Sequence, residues 1–360
     1  MPTRVAVLGA GSWGTAMAAL LGRKVQTGLW ARRPELAARI AAAGSNPEYV
    51  PAAVLPGLVA ATGSLEEALA GADLVVMAVP SHGFREVLVQ ARPHLAAGVP
   101  VVSLAKGMEQ GTHRRMTEVI GEVAPGHPVA VLTGPNLVAE IVAGQPTASV
   151  VAVARAGVAD EGLARELQAL FNTGTFRVYT NPDLVGCELA GSLKNVMAIA
   201  AGMSDGMGFG DNTRAALITR GLAELTRIGV CLGGHPLTFS GLAGMGDLVA
   251  TCTSRKSRNR YVGEQLGRGR TLAEITAETR WVAEGVRTSS VVVELGAEVG
   301  VETPIAEQVA AVLHQGKKAA DVVADLMARV MKPEQHGIGQ PPGELVTFTG
   351  AGGPGSVTSS

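Results

Sequence analysis

The stretch that decides the fold is Gly9-Ala10-Gly11-Ser12-Trp13-Gly14, which lies between the apolar run Arg4–Leu8 and an alanine-rich helical pattern. This is the G-x-G-x-x-G spacing at the turn from a strand into a helix. The first glycine permits the tight turn, the second lets the backbone approach a pyrophosphate, and the third lets the helix pack closely on the strand. The helix N-terminus then offers free N–H groups to the phosphates. We therefore predict a dinucleotide site that includes Gly9, Gly11 and Gly14.

The end of the next apolar run indicates which dinucleotide binds. Val25–Trp30 continues into Ala31-Arg32-Arg33 and carries no acidic residue at its tip. Enzymes that use NAD usually place Asp or Glu there to bind the ribose 2′-hydroxyl, whereas arginine accommodates a 2′-phosphate. Arg32 and Arg33 therefore favour NADP(H), with NAD(H) as the alternative. The two arginines are also compatible with a simple solvated surface.

Short apolar runs alternate with helical patterns up to about residue 180. Near-continuous Val, Leu and Ala runs are typical of strands buried on both faces, and alternation with helices predicts a doubly wound, mainly parallel sheet. From residue 181 to about 330 nearly every pattern is helical, with the longest at Leu184–Ala201 and Asn212–Ile228. We therefore predict an α/β domain over 1–180, an all-α domain over 181–330, and a disordered, glycine- and proline-rich tail over 331–360. The predicted strands are Arg4–Leu8, Val25–Trp30, Leu74–Val79, Val99–Leu104, Val129–Leu132, Ala148–Ala154 and Phe176–Tyr179.

Composition excludes several classes of protein. The 360 residues are 47% apolar, and 30 basic against 31 acidic residues give a net charge of −1. This is not the composition of a disordered chain, and it gives no electrostatic reason to bind nucleic acid. No apolar run approaches a membrane span, and three scattered cysteines suggest neither a disulfide framework nor a zinc site. We expect a cytoplasmic protein without a metal, without nucleic acid and without membrane insertion.

Lys194 is the one cation within a long apolar stretch, Glu188–Met197. A buried ammonium is costly without a partner or a task, and desolvation would bring its pKa toward neutrality, as general acid–base catalysis requires. An equally good interpretation is a lysine that extends from the edge of a helix into solvent. Lys106 follows another predicted strand, at the sheet edge that faces a ligand crevice in doubly wound folds.

The second half also contains a candidate anion site. Gly241–Leu248 includes Asp247 and leads to Thr251, and Ser254–Arg260 holds four cations at a helix start. A helix N-terminus with arginine suits a phosphate, although a solvated charged face is an equal alternative. No metalloprotease, nucleophile-elbow or Walker motif is present. The sum predicts a nicotinamide enzyme with a Lys/Asp pair and a pocket for a small phosphorylated substrate.

Several segments together resemble the bacterial-type NAD(P)-dependent sn-glycerol-3-phosphate dehydrogenase family. They are GAGSWGTA (9–16), AVPSH (78–82), AKGME (105–109), the GPN turn with Glu140 (134–140), ELAGSLKNVMAIAAGMSDGMGFGDNTRAALITRGLAEL (188–225), TFSGLAGMGDLVATCTSRKSRNR (238–260) and VAEGVRT (282–288). The resemblance implies a Rossmann-like N-terminal domain, an all-α C-terminal domain and a site in the cleft between them. It also implies interconversion of glycerone phosphate and sn-glycerol 3-phosphate, the backbone of phospholipids. Homodimers are common for this architecture.

The resemblance also assigns residues by position. Lys194 resembles the catalytic lysine that exchanges a proton with the substrate oxygen, and Asp247 resembles the carboxylate that hydrogen-bonds it. The implied substrate-binding residues are Lys106, Gly134, Asn136, Asn195, Thr251, Ser257, Arg258 and Asn259. The implied cofactor contacts beyond the three glycines are Ser12, Trp13, Arg32, Arg33, Lys106, Val138, Arg258, Val282 and Glu284.

Two positions depart from the family pattern. Asn136 stands where serine is usual, and this should change contact distances. Val138 stands where alanine is usual, and this leaves the coenzyme preference open.

Two alternative functions remain. One is a reductase of similar build that acts on a β-hydroxy acid or keto acid, which the Ser257-Arg258-Asn259 phosphate stretch disfavours. The other is a catalytically silent NADPH-binding sensor, which would not need Lys194 and Asp247.

Overall fold

A large sheet occupies the first half of the chain, in a computed structural model that describes residues 2–279 and 283–334. The strands are β1 (Arg4–Leu8), β2 (Gln26–Trp30), β3 (Ser45–Asn46), β4 (Val50–Val54), β5 (Val59–Thr62), β6 (Leu74–Met77), β7 (Val101–Ser103), β8 (Val129–Thr133), β9 (Thr147–Arg155), β10 (Val158–Ala159) and β11 (Phe176–Thr180). The large sheet has the order β10-β9-β8-β7-β6-β1-β2-β5, with β11 also paired to β9, and β3 pairs with β4 apart from it. Within the large sheet, pairing is parallel except at β8–β9 and β9–β10, and the separate β3–β4 pair is antiparallel. The predicted doubly wound, mainly parallel sheet is confirmed.

Helices cover both faces of this sheet and form the second half of the chain. They are α1 (Ser12–Leu21), α2 (Pro34–Ala43), α3 (Leu65–Leu69), α4 (Ser81–Ala91), α5 (Met116–Val123), α6 (Val138–Val142), α7 (Glu161–Phe171), α8 (Leu184–Gly206), α9 (Asp211–Cys231), α10 (Pro236–Phe239), α11 (Asp247–Thr253), α12 (Arg258–Gly267), α13 (Leu272–Glu278), α14 (Glu284–Glu298), α15 (Pro304–His314) and α16 (Ala319–Met327). Alternate residues of β1 join different apolar clusters, Val5 and Val7 on one face and Ala6 and Leu8 on the other. Burial of both faces explains why β1 has no polar alternation.

The core of the second half is α8. By length and composition this 23-residue helix could cross a membrane, so the expectation that no apolar run reaches that length was wrong. Yet 89% of its most apolar window is buried inside the fold, and it carries Glu188 and Lys194. It is therefore apolar because other helices surround it within the protein.

Helices α8 and α12 cross with their backbones in contact. A Cβ atom at Gly202 would lie 2.0 Å from the carbonyl oxygen of Arg260, and one at Gly263 would lie 2.0 Å from that of Ile199. Gly206 and Gly267 have the same relation to the opposite helix. Since any larger side chain would separate the two backbones, these glycines fix the distance between the helices.

The structure differs from the sequence prediction mainly at the small strands. The short strands β3, β4, β5 and β10 were not predicted, and β7 is shorter than the predicted Val99–Leu104. The last strand ends at Thr180 and α8 begins at Leu184, so the elements change type where the composition changes. The predicted tail over 331–360 lies outside the described residues, apart from 331–334.

Candidate active site

The glycine loop joins β1 to α1 with no room for side chains at two of its glycines. Gly9 has a φ of +118°, and a Cβ atom there would lie 2.6 Å from the carbonyl oxygen of Ala78. A Cβ at Gly14 would lie 1.9 Å from the carbonyl oxygen of Gly9. No described atom lies within 4 Å of a Cβ placed on Gly11, and no side chain of the described residues caps the N-terminus of α1. Open space in front of free N–H groups is what a pyrophosphate needs, so the loop fits a dinucleotide.

Two cofactor residues implied by the resemblance lie at the start of α1. Ser12 is its first residue. Trp13 packs against Phe176 with ring centroids 6.1 Å apart, and its buried Nε1 has no hydrogen-bond partner among the described residues. A buried indole N–H without an acceptor is uncommon, and a ligand beside the loop would provide one.

Asn46 supports the glycine loop, and the sequence analysis missed it. It is fully buried on β3, and its Nδ2 donates to the carbonyl oxygen of Ala10 and to Oγ1 of Thr15, both at 2.9 Å. The contacts join residues more than 30 positions apart, so no local pattern contains them. The available signal was an asparagine directly before Pro47, where a helical pattern ends.

The two arginines after β2 have different surroundings. Arg33 donates to Glu48 at 2.5 Å, while Arg32 makes no ion pair within residues 2–279 and 283–334. Burial lowers the pKa of His82, and the positive charges of Arg287 and Arg32 lower it further. Arg32 is therefore the available cation of the pair, and it belongs to a positive region that includes α14.

Three charged side chains meet where the two halves of the chain face each other. Asp247, at the start of α11, contacts Nζ of Lys106 through Oδ2 at 2.6 Å and Nζ of Lys194 through Oδ1 at 2.8 Å. Lys106 follows β7, and Lys194 lies in the middle of α8. The side chains of Lys194 and Asp247 are only 5% and 3% exposed, so Lys194 is not the solvent-directed lysine of the alternative interpretation. One carboxylate thus neutralises one of two ammonium groups, and the cluster carries a net positive charge.

Neighbouring groups hold this lysine–aspartate cluster in place. Thr251 Oγ1 donates to the carbonyl oxygen of Asp247 at 2.6 Å and accepts a hydrogen bond from Lys194. Lys106 also donates to the carbonyl oxygen of Gly134 at 2.7 Å. Burial, with the charge of Lys194 and against the opposing effect of Asp247, lowers the pKa of Lys106 to about 8. Lys106 is therefore an ammonium that can lose its proton within the ordinary working range of an enzyme.

Two asparagines connect the cluster to the helical half. Asn195 Nδ2 donates to the carbonyl oxygen of Lys106 at 3.1 Å, and its Oδ1 accepts from Asn259 Nδ2 at 3.0 Å. Asn259 in turn accepts from the N–H of Gly285 at 2.9 Å. The chain of bonds runs from the end of β7 through α8 and α12 to α14. Both asparagines therefore position neighbouring elements in this structure.

The four cations near the start of α12 fall into two groups. Lys256 pairs with Glu140 at 3.1 Å, and Arg260 pairs with Asp205 at 2.6 Å. Arg255 and Arg258 are exposed and form no ion pair among the described residues. Ser257 caps the helix by accepting from the N–H of Arg260. Arg258, at the helix N-terminus, is thus the available cation beside free backbone N–H groups, as a phosphate site requires.

Gly134 and Glu284 lie beside the lysine–aspartate cluster, and Asn136 and Val138 follow Gly134 along the chain. Gly134 has a φ of +130°, and Asn136 Nδ2 donates to Ser149 Oγ at 3.2 Å while its buried Oδ1 has no partner among the described residues. Val138 begins α6. Burial raises the pKa of Glu284, at the start of α14, against the opposing charges of Arg258, Lys106 and Lys194. Val282 lies outside the described residues.

The comparisons with known proteins agree with this geometry. The family model for the N-terminus of NAD-dependent glycerol-3-phosphate dehydrogenase matches residues 4–159, and the model for its C-terminus matches residues 183–324. The chain belongs to this dehydrogenase family. A glycerol-3-phosphate dehydrogenase (NAD(P)+) of Sphingopyxis alaskensis is 52% identical over 336 residues, which cover 93% of this chain and 99% of the relative.

Solved structures give the same assignment. The glycerol-3-phosphate dehydrogenase of Coxiella burnetii is 38% identical, with a TM-score of 0.86 over 91% of this chain and 99% of that one. A ketopantoate reductase of Ralstonia eutropha, 17% identical with a TM-score of 0.57, shares the fold alone. The predicted family, oxidoreductase class and NAD(P) dependence are confirmed. Within residues 2–279 and 283–334, no group of His, Cys, Asp and Glu could hold a metal ion.

Proposed function

We propose that this dehydrogenase interconverts glycerone phosphate and sn-glycerol 3-phosphate with NAD(P)H and supplies glycerol 3-phosphate for phospholipid synthesis. The observation that carries the proposal is the buried carboxylate of Asp247 between Lys106 and Lys194, at the carboxyl edge of the sheet. Beside it lies the start of α12, where Arg258 precedes Asn259, and Asn259 bonds to Asn195, the residue after Lys194. A proton donor next to an anion site suits a small phosphorylated ketone.

The first half holds the cofactor in this proposal. The loop of Gly9, Gly11 and Gly14, with Ser12 and Trp13, binds the pyrophosphate, while Lys106, Val138, Arg258, Val282 and Glu284 contact the cofactor elsewhere. When bound, the nicotinamide supplies a hydride to the carbonyl carbon or accepts one in the reverse direction. The open space at Gly11 and the unpartnered Nε1 of Trp13 support this placement.

Lys194 gives its proton to the carbonyl oxygen as the C–H bond forms, and it takes the hydroxyl proton back in oxidation. Asp247 and Thr251 hold its ammonium group in place through the contacts described above. The net positive charge of the cluster stabilises negative charge that develops on the oxygen, and it does so from largely buried side chains. Lys106 adds to that charge from the other side of Asp247.

The phosphate end of the substrate lies at the start of α12 in this proposal. Arg258 and the N-terminal N–H groups bind the phosphate, with Ser257 and Asn259 beside them. Gly134, Asn136, Asn195 and Thr251 complete the pocket around the three-carbon chain. Binding of the remote phosphate orients the reacting carbon, so its interactions contribute to turnover as well as to affinity.

Arg32 favours NADPH over NADH, because it is the one of the two arginines that has no ion pair with any described residue. We expect Arg32→Gln to lower kcat/KM for NADPH about tenfold and to leave that for NADH nearly unchanged, since a 2′-phosphate loses a charge-assisted hydrogen bond. Arg33→Gln is the matched control and should shift the NADPH/NADH ratio less, because Arg33 is paired with Glu48. Equal losses for both cofactors in Arg32→Gln would reject the 2′-phosphate assignment.

The deciding experiment is a steady-state assay that follows the absorbance of reduced nicotinamide. Glycerone phosphate should be turned over, while ketopantoate and β-keto acids without a phosphate should not. Arg258→Gln should raise the KM for glycerone phosphate far more than the cofactor constants. Cofactor binding without turnover of any substrate would favour the silent-sensor alternative, and turnover of the carboxylates would favour the other reductase.

We further propose that residues 1–180 and 181–330 are the two domains, that the protein is a homodimer and that it acts in the cytoplasm. The change from strands to helices between Thr180 and Leu184 supports the domain division. Sedimentation of the full chain measures its oligomeric state, and fractionation of cells that produce the protein measures its location. A monomer, or recovery with the membrane fraction, would contradict the last two statements.

A further inference from the structure

A cavity of about 550 Å³ lies in the helical half, away from the residues proposed for the reaction. It is bounded by the C-terminal end of α8 and by α9, α15 and α16, and its walls include Met203, Leu217, Val309 and Leu326. Ligand sites of proteins typically measure about 300–1,000 Å³ and have mostly apolar walls. The size and the walls therefore suit a small molecule with an apolar body.

Most charged groups around this helical cavity already have partners. The carboxylate of Glu224 accepts the N–H groups of Ile305 at 3.1 Å and Ala306 at 3.0 Å, at the start of α15. Glu302 pairs with Arg329 at 2.6 Å and with Lys332 at 2.7 Å. Burial raises the pKa of Glu224 to about 7, so its negative charge is only partial near neutral pH.

Arg227 is the exception. Its side chain lines the cavity, the residue is only 8% exposed, and its buried Nη1 has no hydrogen-bond partner among the described residues. Within residues 2–279 and 283–334 it makes no ion pair, and burial lowers its pKa against the opposing charges of Glu224 and Glu302. A buried guanidinium with an unused donor is costly, because guanidinium stays charged and loses its hydration. An anion that entered the cavity would satisfy it.

We propose that this cavity binds a small aliphatic monocarboxylate, with the carboxylate on the guanidinium of Arg227 and the chain between α8, α9 and α16. Arginine and carboxylate form paired, charge-assisted hydrogen bonds, which a neutral chain does not offer and a cationic head would oppose. The lining cations Arg220, Arg227, Arg329 and Lys332 outnumber the lining acids Glu224, Glu302 and Glu334, in agreement with an anionic ligand.

The test is calorimetric titration of the full chain with decanoate below its micelle concentration. Decan-1-ol and decyltrimethylammonium serve as probes with the same chain and a neutral or cationic head. Decanoate should bind saturably at one site per chain. The affinity for decan-1-ol should be lower by about tenfold or more, because the alcohol lacks the ionised acceptor. Equal affinities for decanoate and decan-1-ol, or no saturable binding of decanoate, would overturn the proposal.

Titration of Arg227→Gln and of its matched control Arg329→Gln shows which arginine binds the carboxylate of decanoate. Arg227→Gln should weaken decanoate about tenfold or more, whereas Arg329→Gln should change the affinity less than about twofold, since Arg329 is paired with Glu302. Leu217→Trp narrows the lumen and should abolish binding without involving Arg227. Turnover of glycerone phosphate reports that each variant is folded, since none of the three residues belongs to the proposed reaction site.

Three other outcomes would reject a small monocarboxylate on Arg227 as the occupant of this cavity. Equal effects of Arg227→Gln and Arg329→Gln would show that the head group lies elsewhere. Binding of decanoate only after removal of residues 335–360 would assign the cavity to that segment of the chain. Dissociation of a dimer by Leu217→Trp, in a protein that binds no decanoate, would assign the cavity to a second copy.

Discussion

The glycine loop and the lysine–aspartate cluster lie at the same carboxyl edge of the parallel sheet, one after β1 and the other beside the end of β7. The loop presents backbone N–H groups from six consecutive residues, with Asn46 on β3 as a distant support. The cluster brings Lys106, Lys194 and Asp247 together from three separate elements. The groups of the loop are therefore adjacent in sequence, whereas those of the cluster meet only when both halves of the chain are folded.

This difference has an energetic consequence. In the loop, a glycine that contacts the protein and a glycine that faces open space can be changed separately. In the cluster, every group depends on the others, because one carboxylate serves two buried ammonium groups. Substitutions should therefore separate stability from binding in the loop and couple stability with catalysis in the cluster.

The largest effect is expected at Lys194. Lys194→Met should lower kcat about 10²- to 10⁴-fold, since the proton donor is lost, while cofactor affinity stays unchanged. Steady-state kinetics and fluorescence titration with NADPH measure the two quantities. Lys317→Met removes another lysine that pairs with a carboxylate, Asp325, and should leave kcat unaltered. Nearly normal turnover of Lys194→Met would remove this residue from the proton path.

Asp247→Asn tests the coupling within the cluster. It leaves two buried cations without their shared carboxylate and should lower the free energy of unfolding by about 3 kcal/mol. The double variant Asp247→Asn/Lys106→Met should recover part of this loss, because one of the two unpaired charges is gone. Chemical denaturation of the unchanged protein, the single variants Asp247→Asn and Lys106→Met, and the double variant gives the interaction free energy. Strictly additive losses would mean that the two groups act independently.

A pair of glycine substitutions tests the loop. Gly14→Ala should lower the free energy of unfolding by about 2 kcal/mol, because the new Cβ meets the carbonyl oxygen of Gly9. Gly11→Ala should leave stability nearly unchanged and weaken NADPH binding, since its Cβ projects into the open space where the pyrophosphate approaches. Thermal unfolding and cofactor titration are the measurements. Equal destabilisation by both substitutions would remove the distinction between the two glycines.

The smallest effect concerns pH. The pKa of Lys106 is about 8, so its positive charge is present below that pH and is lost as the pH rises through it. We expect kcat/KM for glycerone phosphate to fall about tenfold per pH unit above about 8, because this parameter reports the free enzyme. Lys106→Arg keeps the charge at all these pH values and should remove the alkaline decline. Persistence of the decline in Lys106→Arg would assign it to another group.

The sequence predicted the parts whose signals are local. The glycine spacing, the buried strands and the long helical patterns led to the correct fold, and Lys194 stood out as a cation in an apolar helix. Asn46 was missed because its partners, Ala10 and Thr15, are remote in sequence. The different surroundings of Arg32 and Arg33 were also unpredictable, because Glu48 pairs with only one of them and reaches it through a turn that had no pattern.

The glycine-lined contact between α8 and α12 has a consequence for substrate specificity. Lys194 and Asn195 lie on the first helix, and Ser257 and Arg258 lie at the start of the second, so the proposed proton donor and the proposed phosphate site stand on two helices that pack backbone to backbone. Since these helices already touch through their glycines, the span between the two groups is set by the crossing. This distance sets the length of the ketone phosphate that can reach both groups at once. We therefore expect a ketone phosphate that is one carbon longer to be a poor substrate.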